Sequence, residues 1–307
     1  MKIILANPRG FCAGVDTAIR IVEAAITKYG TPVFVRNEIV HNQSVVNSLK
    51  EQGAIFVKDV KEVPDSSVII FSAHGAGIEV YKEAKQKNLT ILDASCPLVK
   101  KIHNNIIKYS TEGAKIILIG HNGHPEVEGH LGQIKEKIYL INRPEDIRNL
   151  PFAKNEKLAY ITQTTLSRLE SKSIISELKN KYPNILGPKD GDLCYATTNR
   201  QKAIMNLAGK IDLLLVVGSP NSSNSNRLKE LGESLNIRSY LIDEPQNIDF
   251  SWFVNVETIG ITSGASAPEY LVQELISKIS DEFIIDEVEE ISTIEEKVRF
   301  PMPEMLK

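Results

Sequence analysis

Short runs of apolar, often β-branched residues alternate along the chain with segments of helical periodicity. The runs fall at residues 2–6, 33–36, 68–72, 115–120, 158–162, 212–218 and 258–262. They predict strands buried on both faces, as in parallel sheets covered by helices. Residues 15–29 keep their apolar side chains on one helical stripe, and Gly30 ends the pattern. We therefore expect an α/β fold with mostly parallel sheets, in which ligands bind at the carboxyl ends of the strands.

The three cysteines share one sequence context. Cys12, Cys96 and Cys194 each follow a strand-like run and open a helical pattern, and they are 84 and 98 residues apart. Pro97 directly after Cys96 suits the first position of a helix. A strand-to-helix junction favours a thiolate because the helix dipole is positive at its N-terminus.

Polar loops recur at matching distances from these cysteines. About 28 residues after each one, a strand ends in a polar loop, and a second strand and loop follow. The first loops carry His41, then His124 with Glu126, then Ser222, Ser223 and Asn224; the second loops carry His74, Thr164 and Ser266. The pattern predicts three related α/β units with small sheets in a pseudo-threefold arrangement. Their ranges are 14–95, 96–193 and 194–280 plus 1–13, with the N-terminal strand completing the third.

Composition excludes several classes of protein. The 307 residues carry a formal net charge of −3, which argues against a nucleic-acid groove or an anionic membrane as partner. No apolar run approaches the roughly 18–20 residues of a membrane span. The apolar N-terminal patch is too short for a secretory signal, so we expect a cytoplasmic protein. Three cysteines without a CxxC spacing exclude a disulfide framework.

The repeated context of the cysteines favours metal or cluster ligation over three buried hydrophobic side chains. A single iron or zinc with three thiolates is one possibility. A [4Fe-4S] cluster normally takes four cysteines, so three would leave one iron position open to a substrate oxygen.

The polar loops predict an anion site beside this metal. Histidines, hydroxyls, amides and helix N-termini bind anions, although serine and asparagine also cap ordinary helices. Glu126 is the carboxylate of these loops, and a desolvated position near an anion would raise its pKa, as a general acid requires. His103 and His130 are interpreted as structural or surface residues. No Walker loop or GxGxxG motif indicates a nucleotide. The residues alone predict redox or Lewis-acid chemistry on an oxygen of a small anionic molecule.

The motifs of the chain resemble those of one family from end to end. The sequence is similar to the 4-hydroxy-3-methylbut-2-enyl diphosphate reductases, the IspH/LytB family of the methylerythritol phosphate route to isoprenoids. The matching stretches are PRGFCAGVDTAI, NEIVHN, FSAHGAG, DASCPLV, IGHNGHPEVEG, TQTTLS, CYATTNRQ, VVGSPNSSNSNRL and TSGASAPEYLV.

The resemblance implies a fold, a site and a reaction. The three units would surround a central [4Fe-4S] cluster held by Cys12, Cys96 and Cys194. The diphosphate would be bound by His41, His74, Ser222, Ser223, Asn224 and Ser266, with His124 and Thr164 near the substrate hydroxyl and Glu126 as proton donor. The implied reaction is reductive dehydroxylation to isopentenyl and dimethylallyl diphosphate, with electrons from a ferredoxin or a flavodoxin. One chain supplies all three cysteines, which predicts a monomer.

Other interpretations compete with this one. An iron–sulfur hydro-lyase also needs three cysteines and an anion site, but it turns over without a reductant. An iron–sulfur sensor fits less well, because it needs no acid beside an anion site and the chain has no basic run to bind DNA. A zinc hydrolase with three thiolates also ranks lower, and a colourless protein that is indifferent to oxygen would support it. Residues 281–307 form an acidic tail, which is either a solvated extension or a strap packed on another unit through Val298 and Phe300. We further hypothesise that His41 and His74 bind the diphosphate partly protonated.

Overall fold

Parallel strands alternate with helices in the computed structural model, which describes residues 1–188 and 191–306. The strands are β1 (Lys2–Asn7), β2 (Val33–Arg36), β3 (Ala54–Val57), β4 (Val68–Phe71), β5 (Thr90–Asp93), β6 (Lys115–Ile119), β7 (Tyr139–Ile141), β8 (Leu158–Thr162), β9 (Leu213–Val217), β10 (Arg238–Ile242), β11 (Thr258–Ser263) and β12 (Glu287–Ser292). The helices are α1 (Ala13–Tyr29), α2 (Gln43–Glu51), α3 (Ile78–Gln86), α4 (Pro97–Thr111), α5 (Pro125–Leu131), α6 (Arg168–Lys181), α7 (Tyr195–Met205), α8 (Ser223–Ser234) and α9 (Glu269–Glu282). Short 3-10 turns occupy Val60–Glu62, Pro144–Asn149, Pro245–Asn247, Phe250–Phe253 and Glu304–Leu306.

The strands form three small sheets, and each strand pair of the described residues is parallel. The strand orders are β10-β9-β11-β1-β12, β3-β2-β4-β5 and β7-β6-β8. The α/β class with small parallel sheets, predicted from the apolar runs, is confirmed.

The chain divides into two compact units. Unit I comprises residues 1–16, 41–45 and 195–299, and unit II comprises residues 17–40, 46–194 and 300–307. In unit I the five-stranded sheet is buried on both faces. Ile3 and Leu5 of β1 face the cluster that includes helix α9, whereas Ile4 and Ala6 face the cluster that includes α7 and α8. This alternation follows from the two-residue period of a strand.

Unit II contains the other two sheets. Ile117 and Ile119 of β6 pack in the cluster that includes helix α6, while Ile116 and Leu118 pack with side chains of α4 and α5. A separate core lies on the sheet β3-β2-β4-β5, around Phe34, Ile69 and Phe71. The carboxyl ends of these strands carry the polar loops that the sequence analysis singled out.

Strand β1 pairs with β11 in register Lys2 to Thr258, as inferred for the N-terminal strand. The edge strands β3, β7 and β10 were not predicted, because their segments mix buried positions with half-buried or exposed ones. A strand was expected before Cys194; in the described part of that segment, Leu186 forms an isolated bridge with Ala159.

The acidic tail is not simply solvated. Glu287–Ser292 form β12, which pairs with β1 from Lys2 to Asn7 at the edge of the sheet in unit I. Residues 300–307 belong to unit II, where Lys28 Nζ donates a hydrogen bond to the carbonyl of Met305 at 2.7 Å. A wholly solvated extension is therefore wrong, although Val288, Ile294 and Val298 are exposed.

None of the helices in the described part of the chain is both long and apolar enough to span a membrane.

Candidate active site

The loop before Cys12 is fixed by contacts inside unit I. Gly10 has a φ of +72°, a backbone conformation that glycine adopts without strain. Its N–H donates to Ser263 Oγ at 2.7 Å, and the N–H of Cys12 donates to the carbonyl of Ala265 at 3.2 Å. Cys12 is half-buried and immediately precedes α1. Cys12 thus lies between a strand and a helix, as predicted, and hydrogen bonds to the end of β11 and to the loop after it hold the backbone around it.

A buried arginine ties this loop to α7 and to the tail. The guanidinium of Arg200 is completely buried, and its Nη2 donates to the carbonyl of Gly10 at 2.7 Å. Nη1 lies 3.2 Å from Glu296 Oε1, which also accepts a hydrogen bond from Asn199 Nδ2 at 3.0 Å. Nearby, Arg9 pairs with Glu269 and with Glu290 of β12. The acidic tail therefore supplies counter-charges for both arginines that border the Cys12 loop.

The polar loops of unit I meet at the N-terminus of α8. Ser222 caps this helix by accepting from the N–H of Ser225 at 3.3 Å, and Ser266 Oγ lies 3.4 Å from Ser222 Oγ. Ser266 Oγ also donates to the carbonyl of His41 at 3.0 Å. Asn224 Oδ1 accepts from the N–H of Ala265 at 2.9 Å.

A buried donor at this cluster is available to a ligand. Asn224 is 4% exposed, and its Nδ2 makes no hydrogen bond within the described residues. Ser223, the first residue of α8, is half-buried. Hydroxyls, an amide donor and a helix N-terminus together form a site suited to an oxyanion.

Cys96 and Cys194 occupy corresponding positions in unit II. Cys96 is the N-cap of α4, and its N–H donates to the carbonyl of Ala73 at 3.0 Å, one residue before His74. The N–H of Cys194 donates to the carbonyl of Thr164 at 3.1 Å, and α7 begins at the next residue. Both thiols are half-buried. Each of these cysteines is thus joined to the polar loop that the repeat pattern placed before it.

His124 and His74 lie at the start of α5. His124 is the N-cap of α5, and its Nδ1 accepts a hydrogen bond from the N–H of Glu126 at 3.1 Å. The ring of His74 packs edge-on against the ring of His124, with centroids 5.7 Å apart. Gly129 lets the backbone of His74 lie close to α5, because a Cβ there would be 3.2 Å from the carbonyl oxygen of His74. Two predicted site histidines are therefore neighbours.

Glu126 is buried among three hydrogen-bond donors. Its side chain accepts from the N–H of Thr164 at 2.7 Å and from the hydroxyl of Thr164 at 2.8 Å. His130 Nε2 lies 3.3 Å from the same carboxylate. Glu126 is 2% exposed and His130 is fully buried. The structure thus brings the predicted acid together with Thr164 and with a histidine that was not assigned to the site.

The expected rise in the pKa of Glu126 is wrong for this structure. Burial alone raises the pKa of Glu126, but the hydrogen bond and the charge of His130, the charge of His124 and the N–H of Thr164 outweigh burial and lower it. Hydrogen bonds to a carboxylate favour its charged form. These neighbours therefore favour the carboxylate form of Glu126.

Two residues of these clusters, His130 and Arg200, were not predicted from the sequence. His130 follows Glu126 by four residues on α5, a spacing that places two side chains on one helical face. That spacing was the signal that could have identified it. Arg200 had no such signal, because its partners Gly10 and Glu296 are remote in sequence.

The donor set fits an iron–sulfur group, since three uncrosslinked thiols are soft ligands on well-anchored loops. Across residues 1–188 and 191–306, no three Cys, His, Asp or Glu side chains are already assembled as a metal site. The ligand roles of Cys12, Cys96 and Cys194 stay predictions.

Residues 3–280 match the family model described as LytB protein. This chain belongs to the LytB family. It is 54% identical over 310 residues to the 4-hydroxy-3-methylbut-2-enyl diphosphate reductase of Haemophilus influenzae (strain 86-028NP), covering 100% of this chain and 98% of the relative. The reductase of Francisella tularensis subsp. tularensis (strain WY96-3418) is also 54% identical, with 100% and 97% covered.

Solved structures agree with this family assignment. The E-1-hydroxy-2-methyl-but-2-enyl-4-diphosphate reductase from Plasmodium falciparum superposes with a TM-score of 0.96 at 37% identity, covering 99% of this chain and 96% of that one. A second structure, described as (E)-4-hydroxy-3-methyl-but-2-enyl diphosphate reductase, the terminal enzyme of the non-mevalonate pathway, gives a TM-score of 0.65 at 29% identity, with 92% and 100% covered.

Proposed function

We propose that this LytB-family chain reduces 4-hydroxy-3-methylbut-2-enyl diphosphate to isopentenyl and dimethylallyl diphosphate, the last step of the methylerythritol phosphate route. The observation that carries the proposal is full-length similarity to reductases named for this substrate. The buried pairing of Glu126 with Thr164 supports it, because the reaction needs a proton source sheltered from water.

The proposed cofactor is a [4Fe-4S] cluster with three cysteine ligands and one open iron position. Cys12, Cys96 and Cys194 would hold it. When bound, such a group supplies single electrons and a Lewis-acidic position. The backbone N–H groups of these cysteines donate hydrogen bonds to the carbonyls of Ala265, Ala73 and Thr164, respectively. These hydrogen bonds orient the three loops and do not involve the thiols.

We assign diphosphate binding to His41, His74, Ser222, Ser223, Asn224 and Ser266. The capping hydroxyl of Ser222, the buried Nδ2 of Asn224 and the helix N-terminus provide neutral donors. A diphosphate carries about three negative charges, so partly protonated histidines would add the cationic component.

The hydroxyl end of the substrate is assigned to His124, Thr164 and Glu126. Thr164 fixes both oxygens of the Glu126 carboxyl group, and His124 caps the helix that carries it. Overall, the C–O bond breaks, two electrons from an external donor enter the allyl group, one proton converts the hydroxyl to water, and a second proton joins an allyl carbon. Addition of that proton at either end accounts for two products.

We infer a ferredoxin- or flavodoxin-type electron donor, a monomer, and a cytoplasmic location. We also propose that residues 14–95, 96–193 and 194–280 plus 1–13 are three related units around the cluster. Support comes from the three sheets, because each range contributes the strands of one sheet. Strands β2 to β5 lie in the first range, β6 to β8 in the second, and β1 with β9 to β11 in the third.

An anaerobic assay tests the proposed reaction. Reconstituted protein is mixed with chemically reduced viologen dye and the hydroxylated allylic diphosphate, beside Cys96→Ser and Glu126→Gln. We expect wild-type protein to oxidise the dye and form two isomeric diphosphates, while both variants are crippled. Iron–sulfur absorbance without dye oxidation would contradict the reductase and favour a hydro-lyase, which needs no reductant.

A further inference from the structure

His130 is a buried imidazole beside the proposed acid. Its side chain is 0% exposed, and Nε2 lies 3.3 Å from Glu126 Oε1. Its other ring nitrogen, Nδ1, is buried and makes no hydrogen bond within the described residues. The ring therefore has one polar partner available to it, and that partner is the carboxyl group of Glu126.

The ionisable groups around this pair come from several elements. His124 shares α5 with it, and α4 contributes His103, whose ring lies edge-on to His130 with centroids 5.1 Å apart. Asp192, in the loop before Cys194, interacts with both His130 and Glu126. Other charges affect the pKa values of these neighbours. Asp93 and Lys100 affect the pKa of His103, and Lys101 affects the pKa of Asp192.

His103 is not a competing proton carrier. Burial, with a further contribution from His130, lowers the pKa of His103 to about 4, so its ring is neutral near pH 7. Of these two edge-on imidazoles, His130 is the one that contacts the carboxylate. The geometry thus places His130 to exchange a proton with Glu126 through Nε2.

We propose that His130 is a positioning residue that shares one proton with Glu126 and returns it to Glu126 for each turnover. This inference rests on the proposed reductase function and deepens it. The proton moves from Nε2 to Oε1 along the hydrogen bond that is already present, and Glu126 then gives it to the departing hydroxyl, which leaves as water. The pair takes one proton from solvent before the next turnover. The electrons come from the external donor named above.

The physical reason is the conflict at Glu126. The donors from Thr164 and His130 stabilise a carboxylate, whereas the reaction needs a carboxylic acid. A histidine resolves the conflict because imidazole titrates near neutral pH. A carboxyl–imidazole pair also titrates as a unit, so its proton is retained to a higher pH than Glu126 alone would retain it.

The test compares His130→Gln with His103→Gln in reconstituted protein. Glutamine keeps an N–H donor for Glu126 but cannot carry the proton, and the control removes the neighbouring buried ring. Steady-state kinetics are measured from pH 5.5 to 9, with circular dichroism to establish folding. We expect His130→Gln to lower kcat about tenfold at neutral pH and leave KM within about twofold. The alkaline fall in kcat should move about one pH unit or more to lower pH.

The results distinguish a failure of the shared proton from a failure of the proposed reductase function. His103→Gln should keep the wild-type position of the alkaline fall. If His130→Gln also keeps it, whether kcat is unchanged or uniformly lower, the shared proton is refuted. If wild-type protein does not consume the diphosphate at all, the proposed function fails. In that case infrared titration of the Glu126 carboxylic-acid band, identified by its loss in Glu126→Gln, still tests the pair. Loss of this band at the same or a lower pH in His130→Gln than in wild type overturns the inference, and loss at higher pH in His130→Gln supports it, because His130 favours the carboxylate form of Glu126.

Discussion

Thr164 binds both oxygens of the Glu126 carboxyl group, through its N–H to Oε1 at 2.7 Å and its hydroxyl to Oε2 at 2.8 Å. The carbonyl of the same threonine accepts the N–H of Cys194 at 3.1 Å. Thr164, in the loop that follows β8, therefore holds both the proposed proton donor and the backbone of a proposed cluster ligand. A small displacement of this loop would move both groups.

Removal of the Thr164 hydroxyl should impair catalysis more than substrate binding. A hydrogen bond to a charged group contributes about 1.5–3 kcal/mol, so Thr164→Val should lower kcat roughly ten- to hundredfold. Thr164→Ser retains the hydroxyl and should stay within about threefold of wild type. The measurement is kcat and KM in the viologen assay. Equal losses in the valine and serine variants would show that the hydroxyl is not responsible.

Glu126 should make stability depend on pH. Its folded-state pKa is lower than the ordinary value of 4.5, so the carboxylate stabilises the fold at pH values above 4.5. This contribution is lost as the pH falls through the lowered pKa. The free energy of unfolding of wild type minus that of Glu126→Gln should thus be constant from pH 7 to about 5 and decrease below pH 4.5. Chemical denaturation at several pH values measures it.

The matched control for that experiment is Glu128→Gln, an exposed position on the same helix. This control should show no comparable decrease relative to wild type. A wild-type advantage over Glu126→Gln that grows on acidification would contradict the lowered pKa.

Loss of the tail carboxylate at Glu296 should destabilise unit I. Glu296 faces the guanidinium of Arg200, which is fully buried, and the carboxylate is itself 14% exposed. Breaking a buried ion pair from one side costs about 3–5 kcal/mol, because it leaves the other charge unpaired. Glu296→Ala should therefore unfold at clearly lower denaturant concentration, while the exposed neighbour Glu295→Ala should stay within about 0.5 kcal/mol of wild type.

The same variant should also lose iron. Arg200 holds the carbonyl of Gly10, two residues before Cys12, so a weaker clamp leaves this loop less ordered. Iron per chain after anaerobic desalting should be lower in Glu296→Ala than in Glu295→Ala. Equal iron content and equal stability would show that the clamp has no role.

The affinity for the diphosphate should fall as the pH rises through neutrality. If His41 and His74 bind it partly protonated, deprotonation removes their attraction for the anion. The measurement is the apparent dissociation constant from pH 6 to 9 for wild type and for a His41→Gln/His74→Gln variant. We expect a steep profile in wild type and a shallow one in the double variant. A flat wild-type profile would refute the hypothesis.

The alternation of apolar runs and helical stripes was sufficient to predict the parallel α/β class. Runs such as 213–217 are buried on both faces, and that pattern is local in sequence. Strands β3, β7 and β10 escaped prediction because their residues are only partly buried, as in Ala54–Val57, whereas the edge strand β8 was predicted because all of its residues are buried. Strand β12 was missed for the same reason, since its glutamates are typical of a solvated tail. Its pairing with β1 is seen only in the structure.

Sequence by itself determined the residue types of the candidate site and their places at the ends of strands. Cys96 at the N-cap of α4 and Ser222 at the N-cap of α8 follow from short-range patterns of strand, polar loop and helix. Only the tertiary structure decided the ionisation of Glu126 and the clamp by Arg200. Both depend on partners such as Thr164 and Glu296, 38 and 96 residues away, respectively. A local sequence pattern determines which helix or strand end carries a side chain. The pKa of that side chain and its partners depend on burial and on distances through space.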